Sequence, residues 1–398
     1  MELQLQFGYG MMGHCRHLVK SWNGGTVILS PRDLDESQLV NLAKEIRALP
    51  GGRVLLDPQF YLPRSDHARL TSHGYWPDSY QTNGFFGGPG MASMMDDVLK
   101  LNRDVGSVAF VLPGLLARAI DDDWLGTLRA TAEHAATMNA GMPLYSTIAL
   151  NADSMRNTSG IQEILAEFET MNVEGAYLLF EHPNSDYIVQ DPVWLANAVE
   201  LAAGLRLLGM AVVVGYANHQ LLCLAAASVD AIASGTWLNV RAFSPDRFRA
   251  ADEEDHKRKT VWYYDPSCLS EYKLPYLDLA LRAGVLTGMA PPPAYGSTYA
   301  ALLFSGVQPS SVGFGEQEAF RHYLQCMMHQ AAAAKGATFD ATISSLRKML
   351  DSAQRQAESL EKSGVLAGTR KFSEGFDPVR SALISLELTR GAMLRRSW

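Results

Sequence analysis

The feature that most constrains this chain is a regular alternation of short apolar runs with segments of helix length. The runs are nearly continuous in hydrophobicity, which is typical of parallel strands buried on both faces. Eight runs occur: Thr26–Leu29, Arg53–Asp57, Val108–Leu112, Leu144–Leu150, Ala176–Phe180, Ala211–Gly215, Asp230–Ser234 and Thr260–Tyr264. Their alternation with helices predicts βαβ units. Eight strands favour an α/β fold of the closed (β/α)8 TIM-barrel type, and an open doubly wound sheet is the structural alternative.

The chain is predicted to have three parts. Residues 1–24 form an N-terminal extension, residues 25–310 the barrel and residues 311–398 a helical C-terminal region. In the last part, apolar residues recur with a helical period, and Gly and Pro fall between the periodic segments. A long loop at residues 58–90 interrupts the barrel pattern. Loops of this length in compact domains are usually lids or binding loops.

The 58–90 loop is rich in aromatic residues. It contains Tyr61, Tyr75, Trp76, Tyr80, Phe85 and Phe86. We predict that the loop folds over the barrel mouth and stacks an aromatic ring on a planar ligand. The alternative is that these rings pack statically against the helical C-terminal region.

Composition narrows the class of protein. Hydrophobic residues make up 47% of the 398 residues, which is enough for a large core. No apolar run approaches the roughly 18 residues that a membrane span needs. The first residues do not resemble a signal peptide, and four scattered cysteines lack disulfide-like spacing. We therefore expect a cytoplasmic protein that does not enter a membrane.

The charge distribution bears on partners. The net charge of −8 argues against general nucleic-acid binding, because phosphate contacts need basic side chains. From residue 316 onward, however, 12 Lys and Arg stand against 9 Asp and Glu, which gives +3. The helical region is therefore a predicted contact for tRNA or DNA, for a protein partner or for a second copy of the chain. A plain solvated helical surface is the alternative.

Candidate catalytic residues follow from the barrel, whose functional groups come from the carboxyl ends of the strands. Asp57 ends an apolar run, where an unpaired buried carboxylate is costly, so it is either functional or caps the next turn. Glu181 and His182 follow the fifth run and predict an acid/base pair, unless Glu181 only pairs with an arginine. Asp265 follows the eighth run and completes the predicted catalytic set.

The same strand ends and the long loop supply the predicted substrate-binding residues. These are Gln59, Tyr61, Trp76, His182, Tyr216, Asn218, His219 and Trp237. Asn218 and His219 could hydrogen-bond a heterocycle or a sugar. Alternatively, Asn218 is the N-cap of a helix at Gln220–Ala227.

Nucleotide-binding glycine motifs and Cys-x-x-Cys pairs are absent from the sequence, so no cofactor is expected. One zinc hypothesis arises from spacing. His322, Cys326 and His329 would share one face of a helix, and Cys268 could complete a tetrahedral set. The alternative is a partly buried helix face that holds these residues for packing.

Two segments resemble the tRNA-guanine transglycosylase superfamily. VLLDPQFY, which contains Asp57, is similar to that family's early strand that ends in D-S-G-x-F. VVVGYANHQLLCLAAASVDAIASGTW is similar to a strand ending in glycine, then a helix, then a strand of the form G-x-D-x-x-D-S. Together the matches cover about 35 residues. The resemblance implies a barrel that acts on guanine or 7-deazaguanine bases in tRNA, with one branch modifying DNA.

This chain departs from the family pattern at important positions. Asp57 matches the base-contacting aspartate, but Pro58-Gln59 replaces the usual small residues, and the family's closely spaced zinc cysteines are absent. The family nucleophile would fall on Ala233, which cannot attack a glycosidic carbon. If this chain is related to the superfamily, its nucleophile lies at another position, its reaction has changed, or the reaction has been lost.

Three functional hypotheses follow. The first is a nucleobase- or nucleoside-binding barrel with glycosyl-transfer chemistry, in which Asp57 contacts the heterocycle and Tyr61 or Trp76 stacks on it. In this hypothesis Glu181 or Asp265 acts as acid, base or nucleophile. The second is a catalytically degenerate barrel that serves as a subunit of a nucleic-acid modification or defence complex. The third is an unrelated TIM-barrel hydrolase or lyase that uses Glu181 and His182.

Overall fold

The computed structural model describes residues 1–82, 84–249 and 260–398. The strands are β1 (Glu2–Gln6), β2 (Gly25–Leu29), β3 (Gly52–Leu56), β4 (Phe110–Val111), β5 (Leu116–Ala117), β6 (Leu144–Leu150), β7 (Gly175–Phe180), β8 (Ala211–Val214), β9 (Ala231–Ser234), β10 (Trp262–Asp265) and β11 (Ser270–Lys273). The helices are α1 (Met12–Ser21), α2 (Glu36–Arg47), α3 (Ala68–Thr71), α4 (Pro89–Val105), α5 (Asp122–Thr137), α6 (Thr158–Phe168), α7 (Pro192–Leu207), α8 (Leu274–Arg282), α9 (Glu316–Ala334), α10 (Phe339–Lys362), α11 (Phe376–Thr389) and α12 (Gly391–Ser397).

Parallel pairing closes the sheet into a barrel. β1 lies between β2 and β9, and the order continues through β3 and β4 on one side and through β8, β7 and β6 on the other. β4 pairs with β6 and completes the ring, while the short β5 continues along β6. The predicted (β/α)8 fold is therefore confirmed, and the open sheet is excluded by the closing pair.

The first barrel strand is one that the sequence pattern missed. Glu2–Gln6 pairs in parallel with both β2 and β9, although it lies in the segment predicted to be an N-terminal extension. The physical reason is that its polar residues face inward. The hydroxyl of Tyr177 contacts the side chain of Gln6 inside the barrel. A strand with glutamines on its interior face does not give a continuous apolar run.

The eighth predicted strand is wrong. Thr260–Tyr264 does not join the barrel; Trp262–Asp265 pairs antiparallel with β11 in a separate hairpin. This hairpin, α8 and the turns up to Phe314 surround a second, smaller hydrophobic core. Three aromatic residues, Trp262, Tyr263 and Tyr264, make the predicted strand as apolar as a barrel strand, and Tyr263 belongs to this second core.

The helical C-terminal region forms part of the outer layer of the barrel. A short 3₁₀ helix, His219–Ala227, connects β8 to β9 where a full helix would be expected. α9 contacts β1 and this short helix, and α11 packs along α7. Within the described residues, no helix has the length and apolar character needed to cross a membrane.

Candidate active site at the barrel mouth

The barrel axis is polar at the carboxyl ends of the strands. Tyr177 of β7 directs its hydroxyl to Gln6 Oε1 of β1 at 3.0 Å and to Asp57 Oδ2, directly after β3, at 3.3 Å. Residues from three strands that are not neighbours meet there, so their side chains point to the axis. Glu181 follows Tyr177 by four residues and therefore faces the same side of its strand. The structure thus brings two predicted catalytic residues, Asp57 and Glu181, to one end of the barrel.

Asp57 is buried, not solvated. Its Oδ1 accepts hydrogen bonds from the Tyr61 hydroxyl at 2.5 Å and from the Gln59 backbone N–H at 3.0 Å. Among the described residues, no basic side chain forms an ion pair with it. Burial raises the pKa of Asp57 to about 6, and the hydrogen bonds from Tyr61 and Gln59 offset only part of that effect. A carboxylate in this setting is costly to ionise.

Gln59 and Tyr216 lie beside Asp57 in a strained backbone conformation. Both have φ of +55°, a left-handed value that non-glycine residues rarely adopt. The Gln59 amide donates to the Tyr216 hydroxyl at 3.1 Å and to Ser30 Oγ at 2.9 Å. Strain at two strand ends that contact each other indicates a geometry maintained by its surroundings, as is common in active sites.

Glu181 and His182 point in different directions. Glu181 is half-buried, and its carboxylate accepts the Ala152 backbone N–H at 3.0 Å. Partial burial raises the pKa of Glu181, and the nearby Asp246 carboxylate adds to that increase. The His182 ring donates to the Asp186 carbonyl at 2.9 Å and packs on a tryptophan, and burial lowers its pKa to about 4. The two side chains therefore do not form an acid/base pair with each other.

Asp265 lies in the β10–β11 hairpin, so the expectation that it ends a barrel strand is wrong. It is buried and accepts hydrogen bonds from the backbone N–H groups of Ser267 and Cys268 at 2.9 and 3.2 Å, and burial raises its pKa to about 7.

Asn218 caps the short helix after β8 by accepting the Gln220 N–H, which is the alternative role that the sequence predicted for it. The His219 ring packs among aromatic rings, where burial lowers its pKa to about 4.

Trp237 lies near the mouth but is directed outward. Its ring packs on Phe320 of α9 with centroids 4.8 Å apart, and its indole N–H donates to the Tyr9 carbonyl at 3.3 Å. Trp237 consequently contacts the helical C-terminal region.

The aromatic residues of the 58–90 loop pack mainly on one another. Trp76 is 8% exposed and lies edge-on to Phe60 at 5.1 Å, and Phe85 stacks on Phe60 at 6.0 Å. Beside them is an open cleft of about 1090 Å³. Its wall combines aromatic and arginine side chains: Tyr61, Tyr80, Phe86, Trp124, Arg64, Arg118 and Arg249.

The proposed zinc ligands are engaged in other contacts. Both ring nitrogens of His322 are hydrogen-bonded, Nδ1 to Ser297 Oγ and Nε2 to the Tyr264 carbonyl, each at 2.7 Å. Cys326 Sγ lies 3.7 Å from His322 Nδ1, and His329 contacts Gln325. Over the ranges that the structure describes, no three His, Cys, Asp or Glu side chains, Cys268 included, are grouped as a metal site.

Two contributors to the mouth were not predicted from the sequence. Tyr177 lies within the continuous apolar run GAYLLF, where the pattern predicts that a tyrosine is part of the hydrophobic core. Arg247 is 8% exposed and forms an ion pair with Asp33, which is 214 residues away in sequence. A buried tyrosine needs a hydrogen-bond partner, which is the one signal that could have singled out Tyr177.

Fold and site together define a (β/α)8 barrel with a polar, carboxylate-bearing mouth. No family model and no curated protein matches the chain. Solved structures of the carboxyl transferase domain of Rhizobium etli pyruvate carboxylase are similar at 12% identity. The structure with pyruvate gives a TM-score of 0.33 over 92% of this chain and 48% of that chain. A second structure of the domain gives a TM-score of 0.36 over 96% of this chain and 78% of that chain. A third, with 3-bromopyruvate, gives a TM-score of 0.30 over 100% of this chain and 71% of that chain.

The chain spans about half the length of the first of these structures. Similarity this distant carries no argument about activity, so the barrel assignment depends on the strand pairing alone. The resemblance to tRNA-guanine transglycosylases stays a prediction.

Proposed function

We propose that this protein binds a nucleobase-like ligand at the barrel mouth and transfers or exchanges a base on tRNA or DNA, with a chemistry related to that of tRNA-guanine transglycosylases. The observation that supports binding most is Asp57, a buried carboxylate that faces the barrel axis and that forms no ion pair within the part of the chain that the structure describes. A carboxylate only accepts hydrogen bonds, and the Watson–Crick edge of a guanine-like base offers adjacent N–H donors. Tyr61 and Gln59 would frame the ring.

Glu181 is the proposed general acid or base. It faces the same mouth and keeps contact with solvent, and its raised pKa brings it closer to neutrality. In base exchange it would protonate the departing base or accept a proton from the incoming one. Ala233 lies at the end of β9 and has only a methyl group, so the proposed nucleophile is Asp57 or Glu181.

A second candidate function is a non-catalytic subunit that contacts a partner through the helical C-terminal region. One observation favours it: Ile384 and Leu388, one turn apart on α11, are 50% and 82% exposed. Apolar side chains at this spacing form a stripe that a partner helix or a second copy could cover. No comparable observation favours the hydrolase hypothesis, because His182 is directed away from Glu181.

Calorimetric titration of guanine and 7-deazaguanine, with adenine as the control ligand, tests binding. Asp57→Asn should weaken binding by about 10- to 100-fold, as expected for the loss of charged hydrogen bonds. Asp153→Asn, at a side chain that is 85% exposed, is the matched control and should bind normally. Incorporation of labelled guanine into tRNA and DNA then tests transfer. If none of the bases binds the wild-type protein, the proposal is wrong.

A further inference from the structure

One segment crosses the barrel mouth and seals it. We call residues 238–249, which follow β9, the mouth strap. On one side, Phe243 pairs in parallel with Glu181, and the His182 N–H donates to the Phe243 carbonyl at 3.2 Å. The strap therefore extends the end of β7 by one backbone pairing before it passes over the axis.

On the opposite side, the strap is held by side chains that follow β2. Arg247 forms an ion pair with Asp33, and Arg32 Nε donates to the Arg247 carbonyl at 2.5 Å. Asp33 is itself fixed by Ser30 Oγ at 2.7 Å and by Arg32 at 2.9 Å. This ion pair is the charged contact between the tip of the strap and the barrel rim.

Two phenylalanines of the strap cover the site. Phe243 and Phe248 lie with ring centroids 5.4 and 4.9 Å from the ring of Tyr61, which in turn hydrogen-bonds Asp57. Phe248 and Asp57 are both fully buried at 0% exposure. No ligand can contact Asp57 while the rings stay in this position.

The root of the strap is anchored differently. Arg241 donates to the Gly235 carbonyl at 2.8 Å, pairs with the buried Glu271 at 3.3 Å and lies 3.4 Å over the ring of Tyr323. These contacts tie the root to the hairpin and to α9. Among the described residues, the Arg247–Asp33 pair is the ion pair that joins the tip to the barrel. Hydrogen bonds from Arg32 Nε to the Arg247 carbonyl and from Ser65 Oγ to the Phe248 carbonyl accompany it, whereas the root is held by a buried network.

We infer that the mouth strap is a lid whose latch is the Arg247–Asp33 ion pair, and that release of the latch uncovers Asp57. The open lid would connect the barrel interior with the 1090 Å³ cleft, which Tyr61 and Arg249 border. The identity of the ligand rests on the proposed function. Opening of the lid is a property of the free protein and can be measured without a ligand.

Carboxyl footprinting tests the lid. The protein is treated with a carbodiimide and glycine ethyl ester, and labelling of Asp57 is followed by mass spectrometry. Arg247→Gln breaks the latch but leaves Asp33 paired with Arg32. We expect Asp57 to be labelled about tenfold faster in this variant, as for loss of a charge-assisted hydrogen bond. Exposed Asp153 should be labelled equally in both proteins, and Arg16→Gln, which removes a distant surface pair with Glu45, should change nothing.

Arg247→Lys keeps the charge and should give an intermediate rate, so it decides the question if the Gln variant does not fold. Equal Asp57 labelling in the wild type and in a folded Arg247 variant would overturn the lid. Hydrogen exchange at the His182 amide, which Phe243 protects, should rise together with the labelling. Faster labelling that guanine does not suppress in any variant would uphold the lid and refute the proposed ligand instead.

Discussion

Two buried carboxylates, Asp57 at the barrel mouth and Glu271 in the β10–β11 hairpin, lie in opposite electrostatic surroundings. Over the residues that the structure describes, Asp57 receives hydrogen bonds from neutral groups only, the hydroxyls of Tyr61 and Tyr177 and one backbone N–H. Glu271 lies between two guanidinium groups, Arg241 at 3.3 Å and Arg370 at 2.9 Å. Both carboxylates are almost inaccessible to water, at 0% and 3% exposure.

The pKa values of the two groups shift in opposite directions. Burial raises the pKa of Asp57 to about 6. Burial alone would also raise the pKa of Glu271, but Arg241 and Arg370, together with His219 and the Tyr187 hydroxyl, outweigh burial and lower it. A buried carboxylate with arginine partners connects parts of the fold, whereas one without them is kept at a cost in stability. Such a cost is expected where a ligand supplies the missing partner.

The largest effect should follow from removing Glu271. Glu271→Ala leaves the buried Arg241 and the partly exposed Arg370 without a carboxylate, so we expect a loss of about 3–5 kcal/mol in the free energy of unfolding, measured by urea denaturation. Glu45→Ala, in an exposed pair with Arg16, is the control and should cost about 0–1 kcal/mol. Equal losses for the two variants would break the contrast between the two regions.

Trp76→Ala should have the next largest effect, a loss of about 3 kcal/mol in the free energy of unfolding. The indole is buried and packs on Phe60. Trp76, like Glu271 and unlike Asp57, is therefore expected to stabilise the fold. Guanine affinity should be nearly unchanged in the folded variant. Lost affinity with unchanged stability would instead show that Trp76 stacks on the ligand.

Asp57→Asn should change stability in the opposite sense. Because the folded-state pKa of Asp57 is raised, its favourable contribution is complete below about pH 4 and is lost as the pH rises through about 6. Above that range the wild type must ionise a buried group, and asparagine need not. We expect Asp57→Asn to be about 1–3 kcal/mol more stable than the wild type at pH 8 and equally stable at pH 4. If the stability difference between Asp57→Asn and the wild type were the same at pH 4 and pH 8, the raised pKa would be contradicted.

The alternation of apolar runs was enough to predict the barrel and to place Asp57 at a strand end, because buried parallel strands have a distinctive pattern. It failed at β1, whose inward Gln4 and Gln6 give no apolar run, and at Trp262–Asp265, whose Tyr263 belongs to a second core. Both errors arise because the pattern records apolar character: it misses a buried strand whose inward residues are polar, and it does not show which core an apolar residue joins.

The arrangement at the mouth could be predicted only in part. Strand ends identified Asp57, Gln59 and Tyr216, since Asp57 directly follows β3 and the other two lie within a few residues of the ends of β3 and β8. The latch could not be predicted, because Arg247 and Asp33 are 214 residues apart and pair only after the barrel has closed. The opposite directions of Glu181 and His182, by contrast, follow from strand alternation and were predictable in principle.

Glu181→Gln should have the smallest effect on stability and should separate catalysis from folding at the mouth. The side chain is half-buried, and glutamine can still accept the Ala152 N–H through its carbonyl oxygen, so the change in unfolding free energy should stay within about 0.5 kcal/mol. If Glu181 is the acid or base, base exchange should fall about 100-fold or more while guanine still binds with nearly wild-type affinity. Exchange in the wild type should also depend on a group that titrates above the ordinary range of glutamate, because the pKa of Glu181 is raised. That pH dependence should disappear from any residual activity of the variant. Full exchange activity in Glu181→Gln, with an unchanged pH profile, would show that Glu181 is not the acid or base. The exchange reaction would then depend on Asp57 instead.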